Sequence, residues 1–232
     1  MNYFDVGIIT YINQFAQHSR VFDQLVVLLA YNHLLKGGVL VMMIWWAWFK
    51  PENHYTYHRE HILSMLVSCL AAMTVARVLA VNLPFRARPM HEAELHLVLP
   101  YSMEPTSLAE WSSFPSDHAV VFFALATSLL FVSRKVGVFA LAYVTLFIAM
   151  PRIYLGLHYP TDLIAGAVIG IAIALLGNTY LIKSKYIQLV ASWSDSMPHV
   201  FYPLFAFFTF EIANMFDSSR ELLGGLVHIL IG

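Results

Sequence analysis

A succession of apolar runs separated by short polar breaks constrains this chain more than any other feature. From Leu34 to Phe49 the one charged residue is Lys36, and from about His61 to Pro84 it is Arg77. Further runs cover about Asp117 to Val132, Val136 to Ile148, Thr161 to Ile182 and Val200 to Phe216. Segments of this kind approach the thickness of a bilayer's hydrocarbon core. Inside lipid a segment must satisfy its own backbone N–H and C=O groups, which favours helices. Only 12% of the residues are charged and 59% are hydrophobic, whereas soluble domains are about a quarter charged. Mean hydropathy is +0.67. The expected fold is therefore all-α: a polytopic membrane bundle of about six transmembrane helices. The net charge of −1 gives no basic footprint for nucleic acid.

The chain reads as one integral-membrane domain over residues 1–232, without repeats or low-complexity linkers. Residues 1–33 carry apolar positions at roughly helical spacing among Asp5, Asn13, Gln14, Gln17 and His18, a pattern of N-terminal interfacial helices. Residues 21–33 are either a second such helix or the start of the first span. Residues 34–216 form the transmembrane core, and 217–232 an apolar interfacial tail. Trp45, Trp46 and Trp48 mark a membrane–water boundary. The first Lys or Arg is Arg20, so insertion is expected to depend on the spans themselves rather than on a basic leader. Cys69, the single cysteine, reads as small apolar filler. His54 and His58 share helical spacing but lack an evident third ligand, so no metal site and no cofactor is expected. Gly166 and Gly170 have the GxxxG spacing that lets helices approach closely. Glu211, an acid inside the last span, reads as structural.

Charge sets the orientation. Lys50, Arg59, Arg134, Lys135, Lys183 and Lys185 fall in loops on one side of the expected bundle. The long 85–117 loop and the turn near 150–160 fall on the other, with Arg86, Arg88 and Arg152 beside several acids. The excess of Lys and Arg in short loops marks the cytoplasmic side. The expected location is a bacterial cytoplasmic (inner) membrane, with the polar, functional loops on the extracytoplasmic face.

Three stretches converge on that face: Arg77 to Pro89, Phe114-Pro115-Ser116-Asp117-His118, and Arg152 to Asp162. His158 and Asp162 are four residues apart; with Pro160 opening a helix, the carboxylate reaches back towards the imidazole. A carboxylate on one ring nitrogen fixes the tautomer and leaves the other as a nucleophile. Ser116 is placed to cap the next helix, whose N-terminal N–H groups attract an anion, and His118 sits in that first turn. Arg88 and Arg152 add planar, permanently charged forks suited to phosphate. This set of groups fits phosphoryl transfer through a phospho-histidine, with His118 as acid and base and arginines in place of a metal. A lone charge in a span is costly, so Arg77 is either a phosphate ligand or an arginine that snorkels to the interface.

With these residues in order, the chain resembles the type-2 phosphatidic acid phosphatase family, the lipid phosphate phosphatases related in fold to vanadium haloperoxidases. The family pattern is Lys-x6-Arg-Pro, then Pro-Ser-Gly-His, then Ser-Arg-x5-His-x3-Asp. This sequence keeps Arg88-Pro89, Pro115-Ser116-Asp117-His118, and Arg152-x5-His158-x3-Asp162. The resemblance implies His158 as nucleophile, Asp162 as its orienting partner, His118 as acid/base, and Arg88, Ser116 and Arg152 as phosphate ligands. Three positions depart from the pattern. Val81 stands where the family has lysine, Asp117 replaces glycine, and Pro151 replaces serine. Arg77, one turn before Val81, and Arg86 are the two alternatives for the lysine's role. Asp117 enters the substrate side of the site, or else orients Arg86 or His118. The implied partners are membrane lipids and a lipid phosphate or pyrophosphate substrate, such as polyprenyl pyrophosphate, phosphatidate, phosphatidylglycerol phosphate or lipid A phosphate. A phosphotransferase using the same intermediate, and a silent lipid binder or transporter, are the alternatives. Oligomeric state is left open.

Overall fold

The computed structural model describes residues 2–51 and 55–217, together with Ser219 and Leu222. Its elements are helices throughout: α1 (Tyr3–Asn13), α2 (Arg20–Tyr31), α3 (Val39–Phe49), α4 (Tyr55–Asn82), α5 (Asp117–Val132), α6 (Arg134–Tyr143), α7 (Met150–Tyr154), α8 (Pro160–Tyr180), α9 (Lys185–Ser196) and α10 (Pro198–Ala213). The all-α membrane bundle expected from the sequence is what the chain forms. By length and composition, three helical segments among the described residues can cross a bilayer: His58–Asn82, Arg134–Tyr154 and Pro160–Lys183. Arg20–Tyr31 and Leu34–Phe49 together make a fourth, bent by 66° at the junction. The other two apolar runs become α5 and α10, each 16 residues long. At about 1.5 Å per residue these fall short of a 30 Å core.

Local sequence explains where the helices begin. Ser19 caps α2, its Oγ accepting from Phe22 N–H at 3.3 Å. Ser116 caps α5 by accepting from Ala119 N–H at 3.4 Å. Pro160 occupies the first turn of α8, and Asp162 completes that start by accepting from Tyr159 N–H at 2.8 Å. Between α6 and α7 the backbone forms a π-helical stretch, Val144–Ala149. A second π-helical turn, Leu34–Gly38, opens the run into α3.

The central packing is α5 against α8 and α4. Gly166 and Gly170 face α5 as their spacing predicted: a Cβ at Gly166 would lie 2.7 Å from the Ser116 carbonyl oxygen, and one at Gly170 would overlap the Val120 carbonyl. This approach joins two motif-bearing ends directly, since Ser116 N–H donates to the Asp162 carbonyl at 3.2 Å. The main apolar core runs through Leu40, Ile44, Trp48, Ile62, Phe122, Leu125 and Ile212. Here the tryptophan reading needs correction. Trp48 is buried, stacked on Phe201 and packed on Phe205 at ring separations of 5.0 and 4.7 Å. Trp45 donates its N–H to Thr209 Oγ1 at 3.2 Å. Of the three, Trp46 alone is largely exposed, because α3 turns the other two towards α10.

The long loop is fastened by α1 and α2. Asn13 exchanges two hydrogen bonds with the Val98 backbone, at 2.7 and 2.9 Å. Asp23 accepts from Tyr101 N–H at 2.8 Å and from the Tyr154 hydroxyl. Glu211 is buried and accepts from Ser219 Oγ at 2.5 Å. His54 and most of the 217–232 tail lie outside the described residues.

Candidate active site

A cavity of about 410 Å³ opens between the ends of α2, α4, α5 and α7. Its wall includes Arg77, Arg88, Asp117, His118, Arg152 and His158, six of the residues picked from sequence. It also includes Lys36, Tyr31, Trp111, Leu108 and Asp217, which the motifs do not contain. Four cations there (Lys36, Arg77, Arg88, Arg152) face two carboxylates, Asp117 and Asp217. Such an excess in an enclosed space favours an anion.

His158 sits in the turn between α7 and α8 and is 2% exposed. Its Nδ1 lies 2.9 Å from the Ser113 carbonyl oxygen and 3.7 Å from Asp162 Oδ2. A carbonyl only accepts, so this contact places the ring proton on Nδ1 and the lone pair on Nε2. The direct orienting partner is thus a backbone carbonyl from the second motif stretch. Asp162 stands behind it as a nearby charge, its carboxylate committed to Tyr159 N–H and to Arg86. Burial pushes the His158 imidazole below its ordinary value, and Arg88 and Arg152 act in the same direction, while Asp162 opposes them. The ring is therefore neutral at neutral pH.

Nε2 of His158 lies 3.3 Å from Arg88 Nη1, which also donates to the Leu157 carbonyl at 2.7 Å. The loop bearing Arg88 is pinned to the same turn: Met90 N–H donates to the Gly156 carbonyl at 2.9 Å. Gly156 has φ +67°, and a Cβ there would meet Met90 at 3.1 Å, so the turn requires glycine. Desolvation pulls the Arg88 guanidinium below its usual value, with Asp117 and Asp162 opposing. Arg152, 3% exposed, donates to the Ala30 carbonyl at 3.3 Å.

Asp117 lines the cavity and also contacts His118 and Arg77. Its Oδ1 is 2.9 Å from His118 Nδ1 and its Oδ2 accepts from Arg77 Nη2 at 2.8 Å. It therefore orients His118, with Arg77 rather than Arg86 as the cationic partner. Arg77 also stacks over Trp111 at 4.6 Å. With Nδ1 of His118 engaged, its Nε2 is left buried without a hydrogen-bond partner among the described residues, as are Arg88 Nε and Arg152 Nε. The residues that carry these three atoms all line the cavity; buried polar atoms usually find a partner, although among the described residues Arg59 Nε, Ser64 Oγ and Thr127 Oγ1, away from the cavity, share this state.

Arg86, Ser116 and Asp162 do not line this cavity. Arg86, expected as a substrate-binding residue, is engaged elsewhere. Its guanidinium is held behind the site by Asp5 at 2.7 Å, by Asp162 and by Thr161 Oγ1 at 3.0 Å, and lies 4.0 Å over the Tyr159 ring. Asp5 also accepts from Thr161 N–H at 2.9 Å, so α1 supplies part of the start of α8. Ser116 is fully buried and its Oγ takes the helix cap. Lys36 and Asp5 went unassigned in sequence, although Lys36 carried a signal as the one charge in its apolar run.

The fold and this site define a helical membrane protein with a cation-rich cavity walled by histidine and arginine. The family model for the PAP2 superfamily matches residues 61–186, more than half of the chain, and the protein belongs to that family. It is 26% identical to undecaprenyl-diphosphatase BcrC of Bacillus subtilis, over 71% of this chain and 78% of that one. It is 28% identical to lipid A 1-diphosphate synthase of Escherichia coli, over 84% of this chain and 82% of the relative. It is 40% identical to lipid A 1-phosphatase of Rhizobium etli, over 37% and 35%. No solved structure matches significantly. These relatives support a lipid phosphatase of the membrane.

Proposed function

We propose that the protein hydrolyses a lipid phosphate or diphosphate on the extracytoplasmic face through a phospho-histidine at His158, without a divalent metal. The observation that carries this reading is the gathering of Arg88, Arg152, His118 and His158 on the wall of one cavity, with Arg88 Nε, Arg152 Nε and His118 Nε2 unpartnered among the described residues. A phosphate oxygen held by Arg88 brings phosphorus beside His158 Nε2, since the two side chains are 3.3 Å apart. The Nε2 lone pair forms the P–N bond as the P–O bond to the lipid breaks. His118, in its protonated form, gives its proton to the leaving oxygen. Water then loses a proton to His118 and attacks phosphorus, the P–N bond breaks, and neutral His158 and phosphate are regenerated. Arg88 and Arg152 stabilise the charge on the equatorial oxygens.

A second reading is transfer of the same phosphoryl group to a lipid or sugar hydroxyl or phosphate. It is favoured by the relative whose name is lipid A 1-diphosphate synthase, which matches 84% of this chain. The deciding experiment offers the detergent-purified protein a panel of lipid phosphates and diphosphates, in chelator, with and without acceptors. Phosphate release in chelator supports the metal-free hydrolase. A phosphorylated acceptor in place of free phosphate selects the transferase. No turnover of any donor leaves a lipid binder, and activity that returns only with magnesium removes the metal-free mechanism. Sidedness is tested with cysteines at Glu94 and Arg134 in a chain lacking Cys69. An impermeant thiol reagent on intact cells should label the first and spare the second.

A further inference from the structure

We propose that Asp5, in the N-terminal helix and outside all three motifs, is a positioning residue for the phosphoryl transfer: by sharing Arg86 with Asp162 it leaves one surplus negative charge behind the His158 ring. The assignment rests on the phospho-histidine reading above.

Helix α1 is shaped to deliver this carboxylate. Asp5 and Ile9 are the residues it buries, and a separation of four places them on one face. Ile9 shares an apolar cluster with Ile153, Tyr159 and Leu163, which seats that face across the turn between α7 and α8. Asn2 fixes the first turn, its Oδ1 accepting from Asp5 N–H at 2.7 Å. Asp5 is then wholly buried against the start of α8, where it accepts from Thr161 N–H at 2.9 Å and from Thr161 Oγ1 at 2.6 Å. Tying down a helix start needs only an acceptor, which a neutral serine or asparagine also supplies. A buried full charge costs far more, and here it is met by Arg86 at 2.7 Å.

The charge count gives that carboxylate a use. Arg86 bridges Asp5 and Asp162, so two carboxylates share one guanidinium. Without Asp5 the same guanidinium would neutralise Asp162, whose Oδ2 lies 3.7 Å from His158 Nδ1. The ring needs that negative charge at one step. The Nε2 lone pair forms the P–N bond, and the P–O electron pair leaves on the lipid oxygen, which takes a proton from His118. The ring keeps its Nδ1 proton and becomes a phospho-imidazolium cation. In front it meets Arg88, 3.3 Å from Nε2, and Arg152. Asp117 also acts on the ring but is paired with Arg77 at 2.8 Å. The Ser113 carbonyl, 2.9 Å from Nδ1, supplies a dipole and no net charge. The surplus charge of the Asp5, Arg86 and Asp162 cluster offsets the arginines from behind. When water attacks phosphorus, the P–N pair returns to Nε2 and the ring is neutral again.

The test uses the full chain in detergent. Its readouts are kcat, KM and the pH profile of phosphate release from a lipid diphosphate, and the affinity for inorganic phosphate read from its thermal stabilisation. Asp5→Asn keeps the shape and removes the charge. It should lower kcat by about tenfold or more and leave KM and inorganic phosphate affinity near wild type. The acidic limb should move to lower pH, because a cation on His158 is then less favoured. A merely loosened site would admit water and move that limb up, towards the ordinary value of about 6.5. Thr161→Val removes a hydrogen bond to Asp5 and one from Arg86 without changing charge, and should keep kcat within about threefold. Asp5→Asn combined with Arg86→Gln returns the surplus charge to Asp162; recovery of kcat supports the assignment, and an additive loss overturns it. Should Asp5→Asn alone not fold, this double variant decides: kcat near wild type supports the assignment, and a loss of about tenfold overturns it. Wild-type kcat in Asp5→Asn, an upward-moving limb, or an equal loss in Thr161→Val makes Asp5 a structural residue while the hydrolase reading stands. If the wild type releases no phosphate, or His158→Ala releases it normally, the phospho-histidine reading fails and the role of Asp5 falls with it.

Discussion

Two polar clusters lie on either side of the turn between α7 and α8, and they differ in how completely their groups are matched. Behind the turn, Asp5, Arg86, Thr161 and Asp162 bond to one another and to the start of α8. In front of it, Arg88, Arg152 and His118 each keep a buried nitrogen without a partner among the described residues. Both clusters contain an arginine beside a carboxylate, and sequence treats Arg77 and Arg86 as equivalent candidates. The matched cluster holds a helix end in place; the unmatched one is where the proposed function puts the phosphate. The completeness of hydrogen bonding, rather than the residue types, separates the two roles.

The largest effect expected from breaking this contrast is at His158. His158→Ala should remove turnover, a loss of more than about 10⁴-fold, while the protein still inserts and folds. Near-normal phosphate release by that variant would sink the phospho-histidine route. Arg77→Ala comes next, with activity down roughly a hundredfold because His118 loses the arginine that steadies its Asp117 partner. A guanidinium paired to Asp117 acts on His118 as much as on phosphate, so kcat should fall further than KM rises. Arg86→Ala should behave in the opposite sense. It leaves Asp5 and Asp162, both wholly buried, without their cation, and should cost about 3 kcal/mol or more of stability. Inorganic phosphate affinity of the folded fraction should stay near wild type. Equal loss of phosphate binding in both arginine variants would erase the distinction between the clusters.

The smallest expected effect is in pH. In the proposed route a neutral His158 is the nucleophile, and burial holds its protonation below the ordinary value of about 6.5. The acidic limb of kcat/KM assigned to this group should therefore lie below pH 6.5, and an acidic limb above it would contradict the burial. The stability sign agrees. Between the folded value and about 6.5 the unfolded chain binds the proton and the folded site does not. The contribution of His158 to stability is thus highest above about 6.5 and declines as pH falls towards the folded value.

Much of the molecule follows from local sequence. The apolar runs fix helices because lipid and core leave no other way to satisfy their backbone groups. The start of α5 follows from Ser116, that of α8 from Pro160 and Asp162, and the approach of α5 to α8 from Gly166 and Gly170. These are effects of single residues or of spacing within one helix, and they bring the second and third motif stretches together. Other features depend on partners far away in the chain. His158 is oriented chiefly by the carbonyl of Ser113, and a backbone carbonyl has no residue-specific signature. Arg86 is claimed by Asp5, 81 residues away, and Trp48 by Phe201 and Phe205. Lys36 reaches the cavity through a bend and a π-helical turn, which rotate its side chain out of the phase that regular helical periodicity would give it. Periodicity and capping report what a segment does by itself. Which charge meets which, and which polar atom is left for a ligand, is decided only when the helices pack.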